Sequence, residues 1–198
     1  MKKNGFTIKE LVVVISVLIV ILILLYPLFL KNVRKEQMIV KWAQKYSNIQ
    51  YVFSVMKAKK ELEPSKFTLK MFKQNFKEYF RITSELKRPY KQNFKNKITD
   101  DLYTFDKFYE TETGEIIGFK WSNPLCKENE LCAIMNIDLN GRELPNCWGK
   151  DIFGVNIYLN KVEPIGKGFN LNIVRNDCGK NGSGVYCSYY YLMGGFFD

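Results

Sequence analysis

The side chains able to do chemistry fall into four small groups. A carboxylate, Glu10, stands directly before the uncharged run Leu11–Leu30, "LVVVISVLIVILILLYPLFL". Five cysteines, Cys126, Cys132, Cys147, Cys178 and Cys187, all lie beyond residue 125. Asp138, Asn140, Asn146 and Asp151 gather oxygens in one short stretch, and lysines and arginines crowd residues 57–97. Histidine is absent and no nucleophile motif or phosphate loop is present, so no enzyme is expected.

Each group implies a different chemistry. A carboxylate carried into hydrocarbon costs several kcal/mol unless a cation pairs with it. The cysteines are separated by five, 14, 30 and eight residues, none of which is the C-x-x-C spacing of a zinc site. Disulfides in an oxidising compartment are the expectation. Cys126 with Cys132 and Cys178 with Cys187 would close short loops and leave Cys147 over, although spacing alone leaves the connectivity open. Asp138, Asn140, Asn146 and Asp151 could offer oxygens to calcium. The EF-hand spacing is not met, and D-x-N-G is an ordinary turn. A structural turn is therefore the expected reading, with calcium the weaker one and no other cofactor.

These residues must be positioned by larger elements. Leu11–Leu30 is long enough as a helix, about 30 Å, to cross a bilayer core. It exceeds a signal-peptide core and no small-x-small cleavage site follows it, so a single-span anchor is expected. Lys2, Lys3 and Lys9 precede it and Lys31, Arg34 and Lys35 follow, which leaves its orientation open. Beyond Lys31 the pattern turns amphipathic: Ile39, Trp42/Ala43, Tyr46, Ile49, Val52/Phe53 and Met56 mark one helix face. One helix from Phe6 to Lys60 is expected, with Pro27 kinking or locally melting it near Val20–Tyr26. Thr68 reads as the cap of a second helix, Leu69 to Arg81, and Glu85–Lys97 as irregular and basic. Leu102–Trp121 reads as a hairpin turning near Glu112–Glu115. Cys132–Asp138, Asp151–Leu159, Gly168–Val174 and Val185–Met193 read as further strands, and Tyr189–Tyr191 with Phe196–Phe197 as sheet packing. The expected fold class is α+β, with the amphipathic half of the long helix packed on an antiparallel sheet.

Formal charge is +10, made of +6 over residues 1–56, +9 over 57–97 and −5 over 98–198. The basic belt interleaves Phe67, Phe72, Phe76, Tyr79, Phe80, Tyr90 and Phe94 with its cations. Most of these aromatics fall on the second helix's stripe, which favours a solvated helix face over an aromatic nucleic-acid platform. Contact with the acidic half of another copy and binding of nucleic acid are the lesser readings.

One motif goes further. A basic leader, then Gly5-Phe6-Thr7-Ile8-x-Glu10-Leu11, then the apolar run, resembles the N-terminal signal of type IV pilins and type II secretion pseudopilins. Pro27 falls where many pilins carry a proline. Ile137–Tyr158, with its pattern D-x-N-G…P-N…G-x-D-x-F, resembles a strand-loop-strand segment that recurs in pilin-like proteins. The resemblance implies a leader of residues 1–5, a transmembrane and filament-core helix of residues 6–30, and a globular head of residues 31–198. The head divides into an amphipathic helix (31–62), a basic helical region (64–98) and a β-rich, disulfide-containing region (102–198). It further implies cleavage by a prepilin peptidase between Gly5 and Phe6 and N-methylation of Phe6. Glu10 would pair with the Phe6 amine of a neighbouring subunit. The implied partners are the peptidase, other pilin or pseudopilin subunits and the inner-membrane assembly platform. The chain would first be a single-pass inner-membrane protein with its head outside. It would then be a minor subunit of an extracellular pilus or periplasmic pseudopilus. The alternative is an anchored surface binding protein that never polymerises, including one that binds DNA in competence.

Overall fold

The computed structural model describes residues 7–60, 69–87, 90–96, 101–105, 107–123 and 125–196. The chain forms two compact units, Met1–Gln37 and Met38–Asp198.

The first unit is the leading part of helix α1, Ile8–Ala58. Its segment Ile8–Pro27 has a mean hydropathy of 3.0 and none of it is buried. This apolar helix is long enough to span a membrane. Ser16 Oγ donates to the Val13 carbonyl at 2.8 Å, which satisfies the hydroxyl within the helix. Helical structure continues through Pro27, so the local melting expected at Val20–Tyr26 does not occur. A proline removes one ladder bond, and the flanking turns of a uniformly apolar helix keep theirs.

In the second unit, the amphipathic stretch of α1 buries Trp42, Ile49, Val52, Phe53 and Met56. These spacings of three, four and seven are one helix face. They pack on a six-stranded antiparallel sheet: β1 (Ile82–Glu85), β2 (Phe108–Thr111), β3 (Ile116–Trp121), β4 (Ala133–Asp138), β5 (Ile152–Ile157) and β6 (Val162–Pro164). Strand order in space equals order in sequence. Alternation along each strand separates two cores. Ile117, Ala133, Met135, Ile137, Phe153 and Val155 face α1. Ile116, Ile134 and Ile152 face the other way, against Tyr103, Phe105, Phe108 and Trp148. Helix α2 (Leu69–Tyr79) contributes Phe76, joined by Phe80 just beyond it, to the α1 side.

The second face needs a cover, and the stretch expected to be irregular supplies it. Tyr90 and Phe94 pack on that face, and Gln92 between them accepts from Asn136 Nδ2 at 2.9 Å. Residues 90–96 are thus an extended strap whose alternate side chains point inward. Two further strand expectations are corrected. Gly168–Val174 leads into helix α3 (Leu171–Cys178), and Val185–Met193 contains helix α4 (Cys187–Tyr190) followed by a 3₁₀ turn, Tyr191–Met193. Asn170 caps α3 by accepting from the Asn172 amide at 2.9 Å. The buried residues include Val174 with Cys178, and Cys187 with Tyr191, each pair four apart as a helix requires. Strands β1 and β6, and the short span of β2, were not expected. Asp101–Tyr103 is a 3₁₀ turn rather than the start of a strand.

Trp42 joins the two ends of this fold. It is fully buried, stacks on Phe153 at 5.1 Å and donates its indole N–H to the Ser188 carbonyl of α4 at 2.8 Å. Trp42→Ala is expected to lose about 3–5 kcal/mol of head stability, measured by urea unfolding of the full chain in detergent. A loss below about 1 kcal/mol would contradict this packing.

Candidate functional site

The site that the sequence singles out begins at the first turn of α1. Gly5 and Phe6 lie outside the described residues. Thr7 and Glu10 form a reciprocal pair. The Thr7 backbone N–H and hydroxyl each donate to Glu10 Oε2 at 2.8 Å, and the Glu10 N–H points back at Thr7 Oγ1 at 3.4 Å. The Thr7 carbonyl accepts the first helical bond, from Leu11 N at 3.1 Å. This is a capping box, with Thr7 as the cap and Glu10 three residues on. Its sequence signal is the T-x-x-E spacing, which the motif reading passed over. Glu10 therefore acts locally, satisfying a backbone donor that the helix start would otherwise leave unpaired. Both donors converge on Oε2, which leaves Oε1 outside these bonds. Beyond it, Leu11 to Leu25 stand exposed by 44–67% wherever their side chain is large and apolar. A bare apolar surface of this length needs lipid or other helices around it.

The second group, around the β4–β5 turn, does come together. Asp138 closes β4 and Asp151 precedes β5, with 0% and 1% exposure. Asp138 accepts the Tyr90 hydroxyl on Oδ2 and the Asn140 N–H on Oδ1 at 3.2 Å. Asp151 accepts the Asn146 N–H at 2.9 Å and the Cys147 N–H at 2.5 Å, one on each oxygen. Each of the four carboxylate oxygens thus faces one donor within the turn and its strap. Among the described residues no group of three or more acidic, cysteine or histidine side chains is poised to hold a metal. Asn140 Oδ1 and Asn146 Oδ1 are the two buried amide oxygens of the turn with no hydrogen-bond partner. Burial pushes the Asp138 carboxyl up to about 7; the Tyr90 hydroxyl opposes this, and the neighbouring Asp151 charge adds to it. Burial likewise raises Asp151, against the Cys147 and Asn146 amides.

No family model, no curated protein and no solved structure matches this chain.

The remaining candidates can be placed. Cys126–Cys132 and Cys178–Cys187 are disulfides, with Cα atoms 5.2 and 4.8 Å apart. Cys147 is a free, buried thiol, and burial raises its pKa, away from a reactive thiolate. The loop closed by Cys178–Cys187 also anchors the strap: Lys95 N–H donates to the Ser183 carbonyl at 2.9 Å, and Asn96 Nδ2 to the Asn181 carbonyl at 2.8 Å. In the basic belt, Phe76 and Phe80 are core, while Lys57, Lys59, Lys60, Lys77, Arg81, Lys87 and Lys91 are exposed. Tyr90 and Phe94 turn inward as well. Among the described residues of the belt, the cations are exposed and Phe76, Phe80, Tyr90 and Phe94 pack inward. Phe67 lies outside the described residues. The strap's anchoring contacts, Tyr90 to Asp138 and Gln92 to Asn136, were missed by sequence reasoning. Their signal was the alternation Tyr90-x-Gln92-x-Phe94.

Proposed function

We propose that this chain is a minor subunit of a type IV pilus or a related pseudopilus, processed by a prepilin peptidase and assembled through its N-terminal helix. The observation that supports this most is Ile8–Pro27, apolar and unburied along its length, with one carboxylate held at its mouth. In this reading the leader is cut between Gly5 and Phe6 on the cytoplasmic side, and glycine gives the peptidase close access to the backbone. The new Phe6 amine is the cation that Glu10 of an adjoining subunit needs once lipid and water are excluded. A buried carboxylate left unpaired there is penalised by about 3–5 kcal/mol, so the pair sets the axial register. The head lies outside the inner membrane, which accords with its two disulfides. The α+β architecture, a helix packed by one face on an antiparallel sheet, also accords with a pilin-like head.

The test is to express the full chain with a prepilin peptidase and an assembly system, then examine its N-terminus by mass spectrometry and the sheared fibres by immunoblot. A chain beginning at N-methylated Phe6 and present in the fibres is expected. An uncut chain absent from fibres would overturn the reading. A cut and methylated chain that never enters fibres would instead favour the anchored, non-polymerising binding protein.

A further inference from the structure

One cavity of the head combines aromatic walls with unused polar groups. It measures about 280 Å³, and Phe76 and Lys77 of α2, Ile82 and Glu85 of β1, Tyr109 of β2 and Phe119 of β3 line it. A bulge in β1 shapes its floor. Register shifts between Ile82 and Ser84, which sets Ile82 opposite Thr111 and Glu85 opposite Tyr109. Opposite residues share a sheet face, and so do side chains two apart on a strand. Ile82 and Glu85 therefore join Tyr109 on one face, although they are three residues apart. Phe76 walls that face from α2, its ring 5.0 Å from the ring of Phe119. Glu85 is engaged by Lys107 at 3.6 Å. The Lys77 ammonium and the Tyr109 hydroxyl have, among the described residues, no salt-bridge or hydrogen-bond partner. Burial raises the Tyr109 pKa and the Glu85 charge adds to it, so the hydroxyl keeps its proton and can donate.

We propose that this cavity binds a small apolar carboxylic acid, with its ring or branched chain against Phe76, Ile82 and Phe119 and its carboxylate on Lys77 and Tyr109. The lining sets both halves of that ligand. Lys107 offsets the charge of Glu85, so Lys77 is the unbalanced charge of the wall and favours an anion. An ammonium-to-carboxylate hydrogen bond is about twice as strong as a neutral one, which ranks the acid above an alcohol of the same shape. The aromatic and aliphatic walls take the apolar body. Sites for drug-sized ligands run from about 300 to 1,000 Å³, so a cavity of this size takes a body of roughly ten non-hydrogen atoms. Every group involved belongs to the head, and binding is independent of filament assembly.

The test uses the full chain in detergent, with its isoleucine δ1 methyls labelled for NMR and the Ile82 signal assigned through Ile82→Val. Phenylpropionate is the probe. The Ile82 methyl is expected to shift with half-saturation at about 1 mM, as a ligand of this size allows. Ile134 and Ile152, in the core on the other sheet face, should stay in place. Lys77→Gln, at an exposed position, should weaken phenylpropionate at least several-fold. The same variant should bind phenylpropanol, which has the ring without the charge, as the parent chain does. No saturable shift at Ile82 overturns the proposal. So does an equal shift of all the isoleucine methyls, which would mark a general solvent effect. Undiminished binding of phenylpropionate to the Lys77→Gln chain overturns the carboxylate assignment. Acetyl-glycyl-phenylalanine carries the same ring and carboxylate at the end of a peptide. If it binds more than tenfold tighter than phenylpropionate, the cavity takes a peptide terminus and the free acid is overturned.

Discussion

Glu10→Val is expected to leave cleavage after Gly5 intact and to abolish incorporation of the chain into filaments. In the proposed reading, cleavage would require the leader and the Gly5-Phe6 bond, neither of which valine touches, and incorporation would require a negative charge opposite the Phe6 amine in a medium without water. The capping box makes the control specific. Valine also removes the contacts to the Thr7 amide and hydroxyl, and losing a cap typically weakens a helix by about 1 kcal/mol. Glu10→Gln retains an oxygen that Thr7 can reach but carries no charge. If the cap were the whole role of Glu10, the glutamine variant would assemble; if pairing is the role, it fails as valine does. The measurement is the amount of cleaved chain in sheared fibres relative to the membrane fraction. Normal incorporation of the valine variant would rule out the pairing of Glu10 with the Phe6 amine.

Asp138→Asn is expected to flatten a pH dependence of head stability. The folded state holds the Asp138 proton up to about pH 7, whereas an unfolded aspartate releases it near 3.9. A carboxyl raised on folding binds its proton more tightly in the native state. Its contribution is therefore complete below about pH 4, falls as pH climbs and is gone above about pH 7. Across that window the wild type should lose on the order of 2–4 kcal/mol relative to the asparagine variant. Urea unfolding of both full-length chains in detergent at pH 4, 6 and 8 measures the difference. Parallel curves would mean that Asp138 is ionised throughout and that its negative charge is balanced within the fold.

Where side-chain period and burial agree, the fold was legible in the sequence. The stripe from Trp42 to Met56 could only be a helix face. Gly114, in a left-handed conformation at φ 82°, sits where the hairpin turn was expected. Sequence separations of six and nine residues made the two disulfides the natural pairs. What was not legible has physical causes. Phe169, Leu171 and Ile173 alternate like a strand, yet Asn170 caps a helix and leaves all three outside; the apolar residues that matter there are Val174 and Cys178. Tyr189 to Tyr191 mislead in the same way, because only Tyr191 is buried, one turn after Cys187. Strand β1, "ITSE", carries no apolar alternation because its burial is slight. The strap was hidden by its lysines. Lys91 and Asn93 occupy the outward positions between Tyr90, Gln92 and Phe94, which turn inward, and Lys95 turns onto the Cys178 carbonyl. In the candidate site Glu10 stood out by its position, while Thr7, its partner in the structure, drew notice only as part of the motif.

The strictly sequential sheet has a consequence for how the head comes into being. Each strand pairs only with its neighbours in the chain, so nearly all pairing is local, and local contacts form fast. As the chain behind α1 is made, each hairpin can close when its second strand arrives. The contact that must wait is Trp42 with Ser188, 146 residues apart. Until residues 185–193 emerge, a paired sheet lies against a helix whose tryptophan is uncapped. The order of synthesis thus runs with the order of folding, and completion is signalled at Trp42, close to the start of the second unit.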